Sequence, residues 1–291
     1  MQIAYYPGCS LHASSKLYDI QCKKVLKVLG IDLKEIEDWN CCGATSAGKT
    51  DEFLSVALPA RNLGIADATG LSEILIPCSS CYSRTLVSQK ILSEDPELRN
   101  KINTELSKKV QGKIKILSIL DILVSKANSG EIAGKLIKKW EGLNPACYYG
   151  CLLTRFPCDI QISESIENPH GMETVCKVFG AEPIEWNYKT DCCGASAIVN
   201  DTDTSLILTS KIIKDAVARG ANCFVTTCPM CQMNLDAYQD HVSERYGIQK
   251  KMPVFFITEL LGIAMGLTPR ELQIDRHFVD AFGLLKELKL I

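Results

Sequence analysis

The sequence predicts an α/β fold built from two repeats, each a small, mostly parallel sheet flanked by helices. Five sequence blocks recur in the same order in the two halves of the 291-residue chain. Within each half, short apolar runs of strand length alternate with helical patterns, which favours a parallel sheet covered by helices. Most of the repeated cysteines directly follow a predicted strand. We therefore expect two pseudo-twofold-related units with cysteine sites at the strand ends, where α/β sheets usually bind ligands.

The predicted elements can be followed along the chain. The N-terminal MQIAYYPGC is expected to form a strand and a turn, and it lacks the features of a signal peptide. Residues 74–77 and 224–227 are short apolar runs that predict further strands. The segment VFFITELLGIAMGL, interrupted by Glu259, predicts a strand followed by a buried helix. One helix face is marked by apolar residues spaced i, i+3, i+4 and i+7: Cys22, Val25, Leu26 and Leu29.

Length and composition suggest two domains, which we place at residues 1–140 and 141–291 with a link near 138–145. Hydrophobic residues make up 46% and charged residues 23%, as in ordinary globular proteins. The net charge of −2 gives no reason to expect nucleic acid or an anionic membrane as a partner. No apolar run approaches the roughly 18 residues of a membrane span. We expect a cytoplasmic protein.

Fifteen cysteines are many for a chain of this kind. Because the cytoplasm is reducing, they predict metal binding or redox chemistry rather than structural disulfides. The first repeated set comprises Cys9, Cys41, Cys42, Cys78 and Cys81. The second repeated set comprises Cys151, Cys192, Cys193, Cys228 and Cys231. Ten cysteines in two matching sets are a specific signal, whereas any single pair would be a weak one.

Each set contains two adjacent cysteines followed by Gly-Ala. Neighbouring side chains of a strand point to opposite faces, so both thiols can serve one site only if the backbone turns. Gly43 and Gly194 would permit that turn. The pair is separated from the next cysteine by 35 residues in one copy and 34 in the other. Between the first cysteine and the pair lie 31 and 40 residues, so only this loop varies in length.

The remaining cysteines have no counterpart in the other copy. Aligning the copies puts Cys147 opposite Ala4, for example. Because free cysteine is often a small buried hydrophobe, we expect all five to be packing residues. They are Cys22, Cys147, Cys158, Cys176 and Cys223.

Counting ligands favours an unusual iron–sulfur centre in each half. A structural zinc site takes four ligands, so five thiolates are one too many. A cubane [4Fe-4S] cluster also uses four cysteines. A fifth thiolate would bridge two irons or suit an opened cluster, and the count alone leaves the geometry open.

These blocks resemble the cysteine-rich CCG-domain proteins, and two copies in a short chain resemble HdrB of methanogen-type heterodisulfide reductase. The resemblance implies one noncubane [4Fe-4S] cluster on each repeated cysteine set. It implies reduction of the mixed disulfide of coenzyme M and coenzyme B. It also implies three kinds of partner: the iron–sulfur subunit of that enzyme, its flavin-bearing iron–sulfur subunit, and either hydrogenase or formate dehydrogenase. The chain itself carries no G-x-G-x-x-G fingerprint for flavin or nicotinamide, so a partner must supply its electrons.

Three other functions are kept as alternatives. CCG domains also occur in electron-relay subunits of glycolate, lactate, succinate and glycerol-3-phosphate oxidoreductases. A zinc-stabilised binding module would need four ligands, not five. A nucleophilic cysteine enzyme would need a histidine partner, and none of the four histidines is repeated. Four cations near the cysteines in sequence are candidate anion contacts but are more typical of solvated side chains: His12, Lys16, Arg84 and Arg155.

Overall fold

The computed structural model describes residues 1–137, 139–162 and 164–291 and confirms the α/β class with two small parallel sheets. The first sheet has the order β2-β1-β3-β4 and the second the order β5-β6-β7. Their strands are β1 (Gln2–Tyr5), β2 (Asp32–Glu35), β3 (Glu73–Leu75), β4 (Lys115–Leu117), β5 (Pro145–Tyr148), β6 (Cys223–Thr226) and β7 (Val254–Phe256). The predicted link at 138–145 begins at a residue outside the described part and ends at the first residue of β5.

Helices connect the parallel strands and cover the sheets. In the first half they are α1 (Gly8–His12), α2 (Lys16–Val28), α3 (Ala47–Thr50), α4 (Glu52–Asp67), α5 (Ser79–Glu94), α6 (Pro96–Glu105) and α7 (Ile119–Asn128). In the second half they are α8 (Gly171–Val178), α9 (Thr202–Ala218), α10 (Pro229–Ala237), α11 (Gln239–Tyr246), α12 (Ile257–Ala264) and α13 (Ala281–Glu287). The predicted strand and buried helix around Glu259 are confirmed as β7 and α12.

Among the residues described in the second half, no strand occupies the place that β2 has in the first half. The corresponding segment contains Pro183, and proline is tolerated at a sheet edge where its nitrogen faces away from the neighbouring strand. Glu182 and Ile184 still donate their backbone N–H groups to Leu143 and Pro145, at 2.8 and 3.1 Å. The segment therefore follows β5 without continuing the sheet.

The larger hydrophobic core contains residues from both halves of the chain. Helix α2 packs on α12, and α7 packs on α8, so each half contributes helices to its neighbour. A buried hydrogen bond between Gln21 Nε2 and Glu259 Oε1, 2.8 Å long, also joins the halves. A smaller core lies on the other face of the second sheet and includes Tyr148 and Phe224. The domain division near residue 140 stays a prediction.

The strand register corrects one detail of the repeat alignment. Tyr5 pairs with Leu75 on β3, and Cys147 pairs with Val225 on β6. Leu75 and Val225 each lie three residues before the first cysteine of the Cys-x-x-Cys motif. Cys147 therefore corresponds to Tyr5, and the expected match with Ala4 is wrong by one residue. Counting back from Cys9 and Cys151 without a gap gives the same match.

Four of the five unrepeated cysteines are buried, as their packing role requires: Cys22, Cys147, Cys176 and Cys223. Cys158 is only partly buried. We expect Cys22→Ala and Cys176→Ala each to preserve the metal content and to lower the free energy of unfolding by about 1 kcal/mol, since a small core side chain is truncated. Metal analysis and denaturant titration measure both quantities. Loss of metal from either variant would show that the ligand sets are assigned incorrectly.

A buried histidine joins α10, α12 and the segment before α13. His277 Nε2 lies 2.8 Å from Glu259 Oε1, and its Nδ1 lies 3.9 Å from Asp236 Oδ2. Burial lowers the pKa of His277, but Glu259 and Asp236 outweigh burial and raise this pKa to about 8. The protonated ring therefore stabilises the fold at low pH, because the folded pKa lies above the unfolded value of about 6.5.

The pH dependence of stability should show this histidine. The contribution of His277 is fully present below about pH 6.5 and is lost as the pH rises through about 8, a change of about 2 kcal/mol. Denaturant titrations from pH 6 to pH 9, compared between wild type and His277→Gln, isolate it from the titration of the thiols. Parallel pH curves for the two proteins would contradict this prediction.

Candidate functional site

The first cysteine set gathers at the ends of three strands of the first sheet. Cys9 lies in α1 after β1, the adjacent pair lies in the loop after β2, and Cys78 caps α5 after β3. All five thiol-bearing residues of this set line one cavity of about 290 Å³. The sulfur atoms of Cys9 and Cys41 lie 3.7 Å apart. The structure thus brings the predicted first set together.

Two glycines make room for this arrangement. Gly43 has φ +73°, and its N–H lies 3.4 Å from the Cys41 sulfur, so the chain turns after the cysteine pair as predicted. Gly8 has φ +74°, and a Cβ at this position would lie 2.7 Å from the Cys81 sulfur. The repeated glycine before Cys9 is therefore required by the close approach of a cysteine side chain.

The second set is arranged in a similar way at the ends of β5 and β6. The Cys193 thiol donates to the Cys231 sulfur at 3.6 Å, and the Gly194 N–H lies 3.3 Å from the Cys192 sulfur. Gly150 has φ +66°, and a Cβ there would lie 3.0 Å from the Cys231 sulfur. The same two glycine functions thus occur in both sets.

A tyrosine ties each strand end to the turn that carries the cysteine pair. The Tyr6 hydroxyl donates to the carbonyl oxygen of Asn40, the residue before Cys41, at 2.8 Å. The Tyr148 hydroxyl donates to the carbonyl oxygen of Asp191, the residue before Cys192, at 2.5 Å. These bonds fix the position of each cysteine turn relative to its sheet.

Neighbouring thiols shift one another's pKa values strongly. Hydrogen bonds from Cys41 and Cys81 lower the pKa of the Cys42 thiol, and the Arg84 charge lowers it further. A hydrogen bond from Cys151 lowers the pKa of Cys192, and one from Cys231 lowers the pKa of Cys228.

Each set therefore contains a thiol that ionises readily, and the thiolate is the form that binds metal. In the described part of the chain, no three or more Cys, His, Asp or Glu side chains are arranged to hold a single metal ion. The residues of the first set instead line one side of a cavity far larger than one ion.

The cavity that the first set lines lies between the two halves. Its opposite wall comes from α10 and from the loop after the second cysteine pair, and includes Ala195, Ile198, Pro229, Met230, Met233, Asn234 and Tyr238. The hydroxyl of Ser80 lies 3.7 Å from the sulfur of Met230, so the two Cys-x-x-Cys turns meet across this cavity. Met230 lies inside the second Cys-x-x-Cys motif, and this position in the sequence could have predicted that it lines the cavity.

The candidate cations lie outside the wall of this cavity. His12 pairs with Glu35 at 3.0 Å, and Lys16 is exposed. Arg155 pairs with Glu167 at 2.8 Å. Arg84 instead lines an adjoining cavity of about 510 Å³.

Sequence reasoning missed a buried ion pair behind the second set. Lys189 Nζ lies 2.6 Å from Glu173 Oε1, and both side chains are less than 5% exposed. The Lys189 ammonium donates hydrogen bonds to Asn168 and Pro169. It makes no hydrogen bond to Glu173 Oε1, so its contact with this oxygen is an ion pair without a hydrogen bond. The Lys189 carbonyl oxygen accepts from the N–H groups of the two residues before Cys151. No spacing or motif marks this lysine in the sequence.

One protein-family model and several known proteins match this sequence. The model of the CCG cysteine-rich domain family matches residues 3–84 and 146–236. The 8-methylmenaquinol:fumarate reductase membrane anchor subunit of Wolinella succinogenes is 32% identical over 97% of this chain and 99% of its own length. HdrB of a CoB-CoM heterodisulfide reductase from Methanosarcina acetivorans is 25% identical over 99% of this chain and 97% of its own.

Both relatives are subunits of reductases, which supports an oxidoreductase in general. A crystal structure of a hypothetical protein from Helicobacter pylori has the same fold, with a TM-score of 0.72 and 15% identity. It covers 95% of this chain, which spans about half, 51%, of the Helicobacter protein. Within the described residues, no helix is long and apolar enough to cross a membrane.

Proposed function

Because this chain belongs to the CCG family of cysteine-rich domain proteins, we propose that it is the catalytic subunit of a heterodisulfide reductase. Its substrate is the mixed disulfide of coenzyme M and coenzyme B, as the name of the Methanosarcina relative suggests. One observation carries this proposal: a cavity between the halves has the first cysteine set on one wall and the second Cys-x-x-Cys turn on the other. Among the described lining residues, the second set is represented by the turn residues Pro229 and Met230 and not by its cysteines, so a disulfide lying there contacts the first set directly and the second Cys-x-x-Cys turn beside it.

The cysteine sets are consistent with two noncubane [4Fe-4S] clusters. Cys9, Cys41, Cys42, Cys78 and Cys81 hold the first, and Cys151, Cys192, Cys193, Cys228 and Cys231 hold the second. Five sulfur donors around a cavity suit a group of several metal atoms better than a single zinc ion, which takes four. The matching glycine contacts in the two sets support the pseudo-twofold relation of two units at 1–140 and 141–291.

The protein's own residues bind the substrate and exclude water. Bound clusters would supply single electrons, and iron able to stabilise a developing thiolate. Met230, Met233 and Ile198 form an apolar wall around the disulfide, and Tyr6 and Tyr148 hold the cysteine turns in place. A disulfide needs two electrons and two protons to become two thiols, and clusters held by the two cysteine sets would supply one electron each.

Other proteins complete the proposed enzyme. An iron–sulfur protein and a flavin-bearing iron–sulfur protein, both subunits of the same reductase, bring electrons from a hydrogenase or formate dehydrogenase, and the complex is cytoplasmic. The isolated chain is therefore active with a low-potential dye but not with a nicotinamide donor.

A second function, electron transfer in a quinol:fumarate reductase, is favoured by two observations. The Wolinella relative is named for that reaction and is 32% identical. The wall of the cysteine cavity contains no Lys, Arg, Asp, Glu or His among the described residues, so it would also accept an uncharged quinol.

Protein purified without oxygen tests the proposal. We expect about eight irons with matching sulfide per chain, and dye-linked reduction of the coenzyme M–coenzyme B disulfide. Two zinc ions and no sulfide would refute the cluster assignment. Intact clusters without disulfide reduction, together with electron transfer from a menaquinol analogue, would favour the second function.

A further inference from the structure

Arg84 is a half-buried arginine with unused hydrogen-bonding capacity. It lies on α5, one helical turn after Cys81. Its guanidinium makes no hydrogen bond or ion pair with any residue that the structure describes, and its charge acts on the nearby Cys42 thiol. An arginine side chain offers five N–H donors in a fixed fork, and partly buried arginines normally use several of them. The fork is therefore available to an external partner.

The surroundings of Arg84 indicate where that partner would come from. The cavity of about 510 Å³ that it lines shares Ala44 and Thr45 with the cysteine cavity, so the two spaces adjoin. The charged residues lining this adjoining cavity are Lys49, Glu52 and Arg84, which leaves one net positive charge. A molecule held at the cysteines can thus extend a negatively charged end into it.

The second half has a different residue at the matching position. Asn234 lies three residues after Cys231, as Arg84 lies three residues after Cys81. The Asn234 side-chain amide donates to the Cys193 carbonyl oxygen at 2.9 Å and to the Thr209 hydroxyl at 3.0 Å. This residue supports the cysteine turn from inside. Arg84 makes no such hydrogen bond to its cysteine turn: it acts on Cys42 through charge alone, which leaves its N–H donors available.

We infer that Arg84, assisted by Lys49, binds the anionic end group of the substrate. The inference rests on the proposed disulfide reduction and adds a specificity: the substrate carries a sulfonate, carboxylate or phosphate on an alkyl arm. A guanidinium binds any of these groups through two parallel hydrogen bonds. The apolar, sulfur-rich cavity then holds the disulfide, and the adjoining cavity holds the charge.

Two small disulfides of similar shape test this division of roles. Bis(2-sulfonatoethyl) disulfide is anionic at both ends, whereas bis(2-hydroxyethyl) disulfide is neutral. In Arg84→Gln, the ratio of kcat/KM for the anionic to the neutral compound should fall about tenfold or more, through KM, because a charged hydrogen bond is lost. Arg84→Lys should recover part of it. Arg219→Gln, which removes an exposed arginine from the end of α9, is the matched control and should keep the wild-type ratio.

Direct binding gives a second readout that needs no turnover. Calorimetric titration with 2-sulfanylethanesulfonate, at equal iron content, should show weaker binding to Arg84→Gln than to wild type and the control. If wild type reduces neither these disulfides nor the coenzyme M–coenzyme B disulfide, the proposed function fails, and weaker sulfonate binding by the variant still supports the anion site. An unchanged substrate ratio and unchanged sulfonate affinity in Arg84→Gln would overturn the inference.

Discussion

Cys81→Ser and Cys231→Ser are each expected to abolish disulfide reduction almost completely while retaining about half of the iron. Cys81 and Cys231 belong to different cysteine sets, so each change should damage one centre and leave the other intact. Because a disulfide takes up two electrons, a protein with one remaining centre should not keep half of the wild-type activity. Dye-linked reduction of the coenzyme M–coenzyme B disulfide is measured after the iron content has been determined spectroscopically.

The same pair of variants separates catalysis from electron relay. A relay protein can lose a centre that lies off the main route and still pass electrons. Near-normal turnover in either variant, with its cluster shown to be absent, would rule out the paired mechanism. Cys223→Ala serves as the control, because Cys223 is fully buried in β6 and belongs to neither set.

Lys189→Met is expected to lower the free energy of unfolding by about 3–5 kcal/mol. The variant leaves the Glu173 carboxylate buried without its cation, at a position where both partners are less than 5% exposed. It also removes a hydrogen bond of 2.8 Å to the Pro169 carbonyl oxygen. Denaturant titration measures the loss. Since the Lys189 backbone contacts the segment before Cys151, iron should be lost first from the second set.

A paired substitution checks the physical reason. Lys189→Met combined with Glu173→Leu removes both charges and should recover a large part of the lost stability, because no ion is left buried. If the double variant were as unstable as the single one, the ion pair would not be the cause of the destabilisation.

The repeated cysteine blocks were the strongest sequence signal, since short spacings and glycine turns are encoded locally. The turn at Gly43 and the grouping of the first set around one cavity follow from that pattern.

Other features depend on contacts between distant parts of the chain. The pairing of Lys189 with Glu173 and the hydrogen bond from Gln21 to Glu259 join residues with no common motif. Spacing does not encode such contacts. The sequence predicted Arg84 as a cation near the cysteines. Only the structure shows that Arg155 is paired with Glu167, whereas Arg84 has no hydrogen bond to a described residue.

The contacts of α2 with α12 and of α7 with α8 have a consequence for how the molecule comes apart. Helices that cover a neighbour's core cannot melt without exposing it, so heating should give one cooperative calorimetric transition for the whole chain rather than two. A fragment ending near residue 140 would carry the apolar faces of α2 and α7 uncovered. Exposed apolar patches of this kind drive self-association, and such fragments are expected to aggregate on expression.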